Sequence, residues 1–289
     1  MKVFNKIDWQ LGMDINAETL IHADQYNFSR HQIHQKLATL TSYGLLPQTK
    51  YEIISRLKGN ILEVESLQCE AISKSGKLFR INESFDIPLS ESEQGIYYLV
   101  VQIDGYLQAM VDTIPCMKVN YSFHLKRWID LSNGEIIPLL KLKKDGQGWS
   151  SFDYIPPVIA LSSHRALIQH FSDIKKLFIQ ISDRIATWPD CGFLSYLLSI
   201  YLLDIESYST NETPAEYVLL LKKILRTLSS YCPLEGWNPE HFMAEKYDHS
   251  EIKQTMEEAE QLFQLFDNII SAQPEPEPEP EPEEDAFIL

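Results

Sequence analysis

The second half of the chain carries apolar residues in alternating steps of three and four. This spacing is typical of helices that pack along one another in bundles and coiled coils. Three such stretches occur, at 163–188, 217–231 and 252–270. A fourth stretch, Phe193–Tyr208, is apolar almost all round, which indicates burial on more than one side. Because the connections are short, we predict a four-helix bundle of antiparallel helices over residues 161–272.

The first half of the chain alternates between apolar and polar residues in the manner of strands. From Tyr51 to Val158, short apolar runs are separated by turn residues such as Ser75-Gly76 and Asn133-Gly134. Ahead of them, Glu18–Leu40 has the pattern of a long polar helix. These features predict an antiparallel β-sandwich with an N-terminal helix over residues 1–160. The chain as a whole is therefore expected to have an α+β fold.

Two proline-rich segments mark the expected boundaries. Pro156-Pro157 cannot continue a helix and separates the strand-rich half from the helical half. Residues 273–289 repeat Pro-Glu and then end in apolar residues, a composition that extends as polyproline II and predicts a disordered acidic tail. The tail is either a solvated linker or a partner-binding segment. In the second case, Phe287, Ile288 and Leu289 enter a groove or a sheet edge of the partner.

Composition limits the classes of partner. The 289 residues carry a net charge of −16, to which the tail contributes seven acidic residues and no Lys or Arg. Without clustered positive charge, neither nucleic acid nor an anionic membrane is an expected partner. The four cysteines show no Cys-x-x-Cys spacing, which indicates buried free thiols in a reducing compartment. The longest apolar run, 13 residues from Phe193 to Ile205, is too short to cross a membrane, so we expect a cytoplasmic protein.

No motif in the sequence carries recognisable catalytic or cofactor chemistry. His31 and His34 lie on adjacent turns of the first helix, but a metal site needs three or four ligands and no partner cluster is visible, so a solvated helix face is favoured. Gly146-Gln147-Gly148 lacks the third glycine and the following helix of a phosphate-binding loop. We therefore expect no catalytic residue, no cofactor and no metal, and a protein that is not an enzyme.

Several short motifs of the first half occur in a characteristic order. They are Trp9-x-x-Gly12-Met13-x-Ile15, Tyr43-Gly44-Leu45, Phe85-Asp86-Ile87-Pro88, Gly148-Trp149 and Tyr154-Ile155-Pro156-Pro157. In this order they resemble the TssK family, the baseplate proteins of type VI secretion systems. Ala17, Thr19 and Leu20 depart from the family pattern, so the resemblance is to a distant member.

The resemblance implies a β-sandwich shoulder at 1–160 and a four-helix neck at 161–272, the two parts that the family shares with phage receptor-binding proteins. It further implies a homotrimer that docks on the TssF–TssG wedge, in the cytoplasm at a baseplate attached to the inner membrane. The family's C-terminal head is not recognisable in the sequence, as in Bacteroidetes-type systems. The tail at 273–289 is then expected to take over the head's contact with a membrane-anchoring protein.

The N-terminal segment is the candidate for the contact with the wedge. Gly12 permits a sharp turn of the backbone, and Trp9 and Met13 are strong anchors once they are desolvated. We expect Trp9, Gly12, Met13 and Ile15 to form this contact. The alternative is that Trp9 only covers the core of the sandwich.

The helix that is apolar all round is the candidate for the trimer contact. The apolar surface of this helix is wider than a single helix–helix contact can bury. We therefore expect Leu197, Tyr201 and Leu202 to face another subunit. Two further functions remain open at this point. One is a phage-tail-like receptor-binding adaptor, and the other is an enzyme or small-ligand module, which would require a deep polar pocket.

Overall fold

A computed structural model describes most of the chain and divides it into two compact units. The first unit holds the described residues within 1–169, 210–217 and 247–254, and the second holds those within 170–209, 218–246 and 255–289. The described residues are 6–11, 13, 15–37, 43–89, 93–111, 114–127, 135–188, 191–208, 210–234, 237 and 248–272, without the side chains of 28–37, 111 and 250.

The strands of the first unit form two antiparallel sheets. Their bounds are β1 Lys6–Ile7, β2 Gly44–Leu45, β3 Glu52–Lys58, β4 Ile61–Ile72, β5 Leu78–Pro88, β6 Gly95–Val111, β7 Ile114–Arg127, β8 Ile136–Asp145 and β9 Gly148–Phe152. One sheet has the order β1-β7-β6-β8-β9. In the other, β4 is central, with β2 and β3 along one side and β5 along the other.

Aromatic and aliphatic side chains join the two sheets into one core. The rings of Phe85 on β5 and Phe123 on β7 stack with 3.9 Å between their centroids. The Tyr51 hydroxyl, just before β3, donates a 2.7 Å hydrogen bond to the Leu139 carbonyl on β8. Near-alternate residues of β4, such as Leu67, are buried, and in β6 the whole run from Tyr97 to Val101 is buried on both faces. The predicted α+β fold with antiparallel sheets is confirmed.

The motif around Gly44 and the motif around Pro157 form one structural feature. The Leu45 N–H donates to the Pro157 carbonyl at 2.8 Å, and the Ile159 N–H donates to the Leu45 carbonyl at 3.1 Å. Gly44 has φ +127°, and a Cβ atom placed on it would lie 2.1 Å from the Pro157 oxygen. Only glycine allows this approach. The start of β2 and the end of the strand-rich half are therefore held together at this point.

Five long helices accompany the sheets. They are α1 Ala17–Leu37, α2 Arg165–Ile185, α3 Gly192–Ser207, α4 Pro214–Tyr231 and α5 Ile252–Ser271, with 3-10 turns at Leu161–Ser163 and His249–Glu251. Asn16 caps α1, since its side-chain oxygen accepts the Thr19 N–H at 2.9 Å. Thr213 and Glu216 form a capping box at the start of α4, each side chain accepting the other's backbone N–H at 3.3 Å.

The predicted seams of α2 and α5 are buried within the helices, whereas in α4 the seam is buried from Tyr217 to Leu228 and Tyr231 at its end is 43% exposed. In α2, burying Phe178 completely is worth about 1.5–3 kcal/mol, and each of its seam neighbours contributes similarly. Trp188, the last predicted position, lies beyond the end of α2 and is only half-buried. The buried seam of α2 is Leu167, Phe171, Ile174, Phe178, Ile181 and Ile185, and that of α5 is Ile252, Met256, Ala259, Phe263, Phe266 and Ile270.

Helices α2 and α5 run in the same direction, against the expectation of antiparallel neighbours throughout. Three contacts of the second unit follow the same order along both helices. His170 bonds Glu260 at 2.7 Å, Phe178 meets Phe263 edge to face with ring centroids 6.1 Å apart, and Arg184 bonds Asp267 at 2.5 Å. In sequence, 20 residues separate the end of α4 at Tyr231 from the start of α5 at Ile252, which is not the short connection on which the antiparallel prediction depended. The four-helix bundle itself stays a prediction.

Two half-buried histidines in the first unit make its stability depend on pH. His164 caps α2 through a 3.3 Å bond from the Ala166 N–H to Nδ1, and the His249 Nε2–H donates to the Pro156 carbonyl at 2.8 Å. Burial lowers the pKa of both imidazoles below the usual 6.5. The unfolded chain therefore takes up protons at a higher pH than the folded protein.

The two neutral histidines contribute fully to stability above about pH 6.5, and this contribution is lost as the pH falls through their lowered pKa values. We expect the free energy of unfolding, measured with urea, to decrease as the pH is taken below that value. In the double variant His164→Gln/His249→Gln the decrease should be smaller. His124→Gln, at an exposed position of β7, is the control and should follow the wild-type curve. Equal pH dependence in the double variant would contradict the assignment.

Candidate functional site

The N-terminal segment is fastened to the hairpin of β6 and β7. β1 pairs with β7 at Met117 and Cys116, and the Asp8 N–H continues the ladder with a 2.9 Å bond to the Pro115 carbonyl. The Asp8 carboxylate then accepts the side-chain amides of Gln10, at 3.0 Å, and of Gln108 on β6. The chain after β1 is thus held across the face of the hairpin that carries Gln108.

A small core supports this arrangement from the opposite face. Ile7, Ile114 and Cys116 are buried together, with Met13 and Ala23 of α1 packed against them. Burial raises the pKa of the Cys116 thiol, so this cysteine packs in the small core as an unreactive, protonated thiol. All four cysteines are free, and Cys69, Cys116 and Cys232 are buried.

Large apolar side chains crowd the surface above this core. Leu11 is fully exposed, and Ile15 and Met110 are about two-thirds exposed, at 66% and 64%. Single exposed apolar residues are ordinary, but several exposed apolar residues on neighbouring segments are typical of an interaction site. We call this group the N-terminal patch, and its members are Trp9, Leu11, Ile15, Leu20, Ile21, Leu107 and Met110.

A cavity of about 430 Å³ opens within the N-terminal patch. Gln10, Leu11 and Met13 form one wall, and Gln108 to Met110 of β6 with Pro115 form the other. The described residues of its lining carry no ionisable side chain, and the Asp8 carboxylate accepts the side-chain amides of both glutamines. The cavity can accept a large apolar side chain and offers amide groups for one or two hydrogen bonds.

Three of the four residues predicted for the wedge contact, Trp9, Met13 and Ile15, belong to the described part of the chain. Trp9 and Ile15 are exposed, with Trp9 at 53%, so Trp9 does not close the core of the sandwich. Met13 lies at the boundary between the small core and the cavity. Gly12 lies outside the described residues. The sequence could also have indicated Leu11, because it lies close to Trp9. The exposure of Leu107 and Met110 has no signal in the sequence, because it depends on how far β8 extends along β6.

A second apolar surface runs along α3. The steps between its members are three, four and three, which is the spacing of a coiled-coil seam. Phe193, Tyr196 and Leu203 are all more than 60% exposed. The buried residues of the helix, Leu194, Leu198 and Ile205, lie on the opposite side, about 150° away at 100° per residue. We call the exposed surface the α3 stripe, and it consists of Phe193, Tyr196, Ile200 and Leu203.

The residues predicted for the trimer contact flank the inner side of α3. Leu197, Tyr201 and Leu202 are all half-buried. The Tyr201 hydroxyl forms a 3.2 Å hydrogen bond with that of Thr227 on α4, so this tyrosine faces a neighbouring helix of the same chain. The exposed positions of α3 lie next to the ones that the prediction named, and the trimer contact stays a prediction.

The remaining candidate residues lie outside what the structure describes. The tail with Phe287, Ile288 and Leu289 and the side chains of His31 and His34 belong to this group. Among the described residues, no three His, Cys, Asp or Glu side chains are placed to hold a metal ion. Nor does any helix in this part of the chain have the length and apolar composition to span a membrane.

Comparison with known proteins rests on structure and not on sequence. No family model matches the chain, and no curated protein matches it. A crystal structure of TssK superposes with a TM-score of 0.52 at 14% identity, over 90% of this chain and 69% of that chain. TssK from the type VI secretion system of EAEC, in complex with a nanobody, gives a TM-score of 0.60 at 13% identity, over 86% and 69%.

A third match is a chain of the TssK–TssF–TssG baseplate subcomplex of a type VI secretion system. It gives a TM-score of 0.59 at 14% identity and covers 93% of this chain and 100% of that chain. This chain has the TssK fold. The resemblance indicated by the short motifs is confirmed at the level of structure. The TssK fold includes both the sheets and the helices, since the match extends over nearly all of the chain.

Proposed function

We propose that this protein is a structural subunit of a type VI secretion baseplate, a trimeric adaptor that docks on the TssF–TssG wedge and links the baseplate to its membrane anchor. The observation that carries the proposal is the TssK fold over 93% of the chain, matched to a structure in which TssK is assembled with TssF and TssG. The role is one of assembly and involves no catalysis. It requires two binding surfaces, one for the wedge and one for the other copies.

The N-terminal patch is the surface assigned to the wedge. It combines exposed aromatic and aliphatic anchors with a cavity that can hold one of the partner's side chains. Anchors of this kind in desolvated pockets carry most of the energy of protein interfaces. The patch is also held rigidly by the Asp8 hydrogen bonds and by the small core, which lowers the entropic cost of binding.

The α3 stripe is the surface assigned to trimer formation. Four large apolar residues in seam spacing gain little by remaining in water, and three copies of the helix can bury them against one another. The stripe and the patch are separate, so the two functions can be tested independently.

The decisive experiment measures binding of the full chain to purified TssF–TssG subcomplex from the same secretion system. We expect the wild-type chain to bind and Trp9→Ala/Leu11→Ala to weaken binding by at least about 2 kcal/mol, or about 30-fold. Ile54→Ala, an exposed isoleucine of β3 in the other sheet, is the matched control and should bind as the wild type does. Absence of wild-type binding would overturn the proposed function, and equal loss in the control would overturn the assignment of the surface.

A further inference from the structure

The hairpin of β6 and β7 extends past the end of its neighbour β8. β8 pairs with β6 only from Gly95 to Gln102. One more contact follows, from the Ile103 N–H to the Glu135 carbonyl at 2.9 Å. Within the described part of the chain, no strand pairs with β6 on this side between Tyr106 and Met110. Among the described residues this stretch, about 17 Å long, has no neighbouring strand, and we call it the open edge.

The backbone groups that face this edge can be assigned. The Pro115 carbonyl accepts the Asp8 N–H, so it points away from β6, and Pro115 is paired with Met110. In an antiparallel ladder, opposed residues alternate between bonding each other and pointing outward. The register between Gly105 and Val111 is unbroken. Tyr106, Gln108 and Met110 therefore direct their N–H and C=O groups into the open edge, while Leu107 and Ala109 bond β7.

The composition of this edge is typical of a strand that pairs with another strand. Exposed edge strands in native proteins are normally protected by charged residues, especially lysine, or by proline. Here the run Gly105-Tyr-Leu-Gln-Ala-Met110 contains neither, although 23% of the chain is charged. Tyr106, Leu107 and Met110 are exposed at 48%, 55% and 64%. An uncharged, apolar edge is complementary to an uncharged, apolar strand.

The cavity of the N-terminal patch borders the same edge. Gln108, Ala109 and Met110 belong both to the open edge and to the cavity lining. A strand laid along β6 places alternate side chains on the face of Gln108 and Met110, next to the cavity. Backbone hydrogen bonds would then supply affinity, and the cavity would select the side chain, as in other cases of strand addition.

We propose that the wedge adds one extended, uncharged strand to the open edge of β6 at Tyr106–Met110 and places a large apolar side chain in the cavity. This inference rests on the proposed function and specifies how the partner is held. The partner strand continues the sheet beyond β8, and the outward groups of Tyr106, Gln108 and Met110 receive it.

The first test separates backbone recognition from side-chain recognition. Gln108→Pro removes an outward N–H without touching the bonds between β6 and β7, and proline is tolerated on a strand edge whose N–H faces outward. Gln108→Ala is its matched control, because it loses the same side chain and keeps the N–H. We expect Gln108→Pro to bind the TssF–TssG subcomplex about tenfold more weakly than Gln108→Ala. Melting curves by circular dichroism verify that both variants are folded.

The second test needs no variant. Amide hydrogen exchange, resolved by residue, is measured on the wild-type chain with and without saturating TssF–TssG. In the free chain, Tyr106, Gln108 and Met110 should exchange fast, and Leu107 and Ala109 slowly; in the complex, all five should be slow. If the wild type binds but the three outward amides stay fast, or if the two Gln108 variants bind equally, strand addition is wrong and the proposed function stands.

Two other results are informative. No binding by the wild type would overturn the proposed function and this inference with it. Slow exchange of the outward amides in the chain alone, at high concentration, would show that a second copy occupies the edge and would overturn the assignment to the wedge.

Discussion

Lysine at both Tyr196 and Leu203 is expected to convert a trimer into monomers. Both residues belong to the α3 stripe and are about two-thirds exposed, at 63% and 66%, in the single chain. In a three-helix seam they would be buried, and burying an unpaired ammonium group in an apolar interface costs several kcal/mol per copy. Neither position contributes to the buried side of α3, so the fold of the single chain should be unaffected.

Light scattering at several micromolar concentrations measures the effect. The wild-type mass should be three times the 33.4 kDa of the chain, and that of the double variant should equal one chain. The matched control is Leu219→Lys/Tyr231→Lys, which changes one leucine and one tyrosine that are also exposed, at 53% and 43%, on α4. A monomeric wild type would remove the trimer from the proposed function. Dissociation of the control to the same extent would mean that α3 has no special part in assembly.

Alanine at Gly44 is expected to lower the free energy of unfolding by about 3 to 5 kcal/mol. Two costs add at this position. The backbone has φ +127°, a conformation that residues with a side chain rarely adopt, and the new methyl group would lie 2.1 Å from the Pro157 carbonyl oxygen. To make room, the bonds that join Leu45 to Pro157 and Ile159 must break, and these hold β2 to the end of the strand-rich half.

Gly76→Ala separates the two costs. Gly76 also has a positive φ, +80°, but a Cβ atom there would have nothing within 4 Å. Only the conformational cost remains, about 1–2 kcal/mol. Urea unfolding of the two variants and the wild type, followed by far-ultraviolet circular dichroism, measures both. If Gly44→Ala is no less stable than Gly76→Ala, the close approach to Pro157 does not contribute.

The Gly44 contact also explains two of the motifs from which the resemblance was inferred. Tyr43-Gly44-Leu45 and Tyr154-Ile155-Pro156-Pro157 are more than 100 residues apart in sequence, yet they meet in one bridge between Leu45 and Val158. Their meaning is therefore structural. Trp9 and Ile15, by contrast, are exposed, and their contact with a partner stays a prediction.

The secondary structure and the core could be predicted because both depend on local periodicity. The seams of α2 and α5 are buried at every predicted position within the helices, since a step of three or four places residues on one face whatever the partner is. The turn and capping residues acted in the same local way. The Thr213–Glu216 capping box is equally local, because its bonds span only three residues.

The sequence by itself therefore determined the order of strands and helices and the helix faces that become core. It also contains no recognisable catalytic motif. The tertiary structure alone decided which apolar residues stay in water. Leu197 and Phe193 are equally apolar, and only the packing of neighbouring helices leaves the second exposed while half-covering the first. Likewise, among the described residues β8 begins only at Ile136 and leaves Tyr106–Met110 without a neighbouring strand, and the contacts between α2 and α5 show that these helices run parallel. Burial and strand pairing are properties of neighbours distant in sequence, so no local pattern records them.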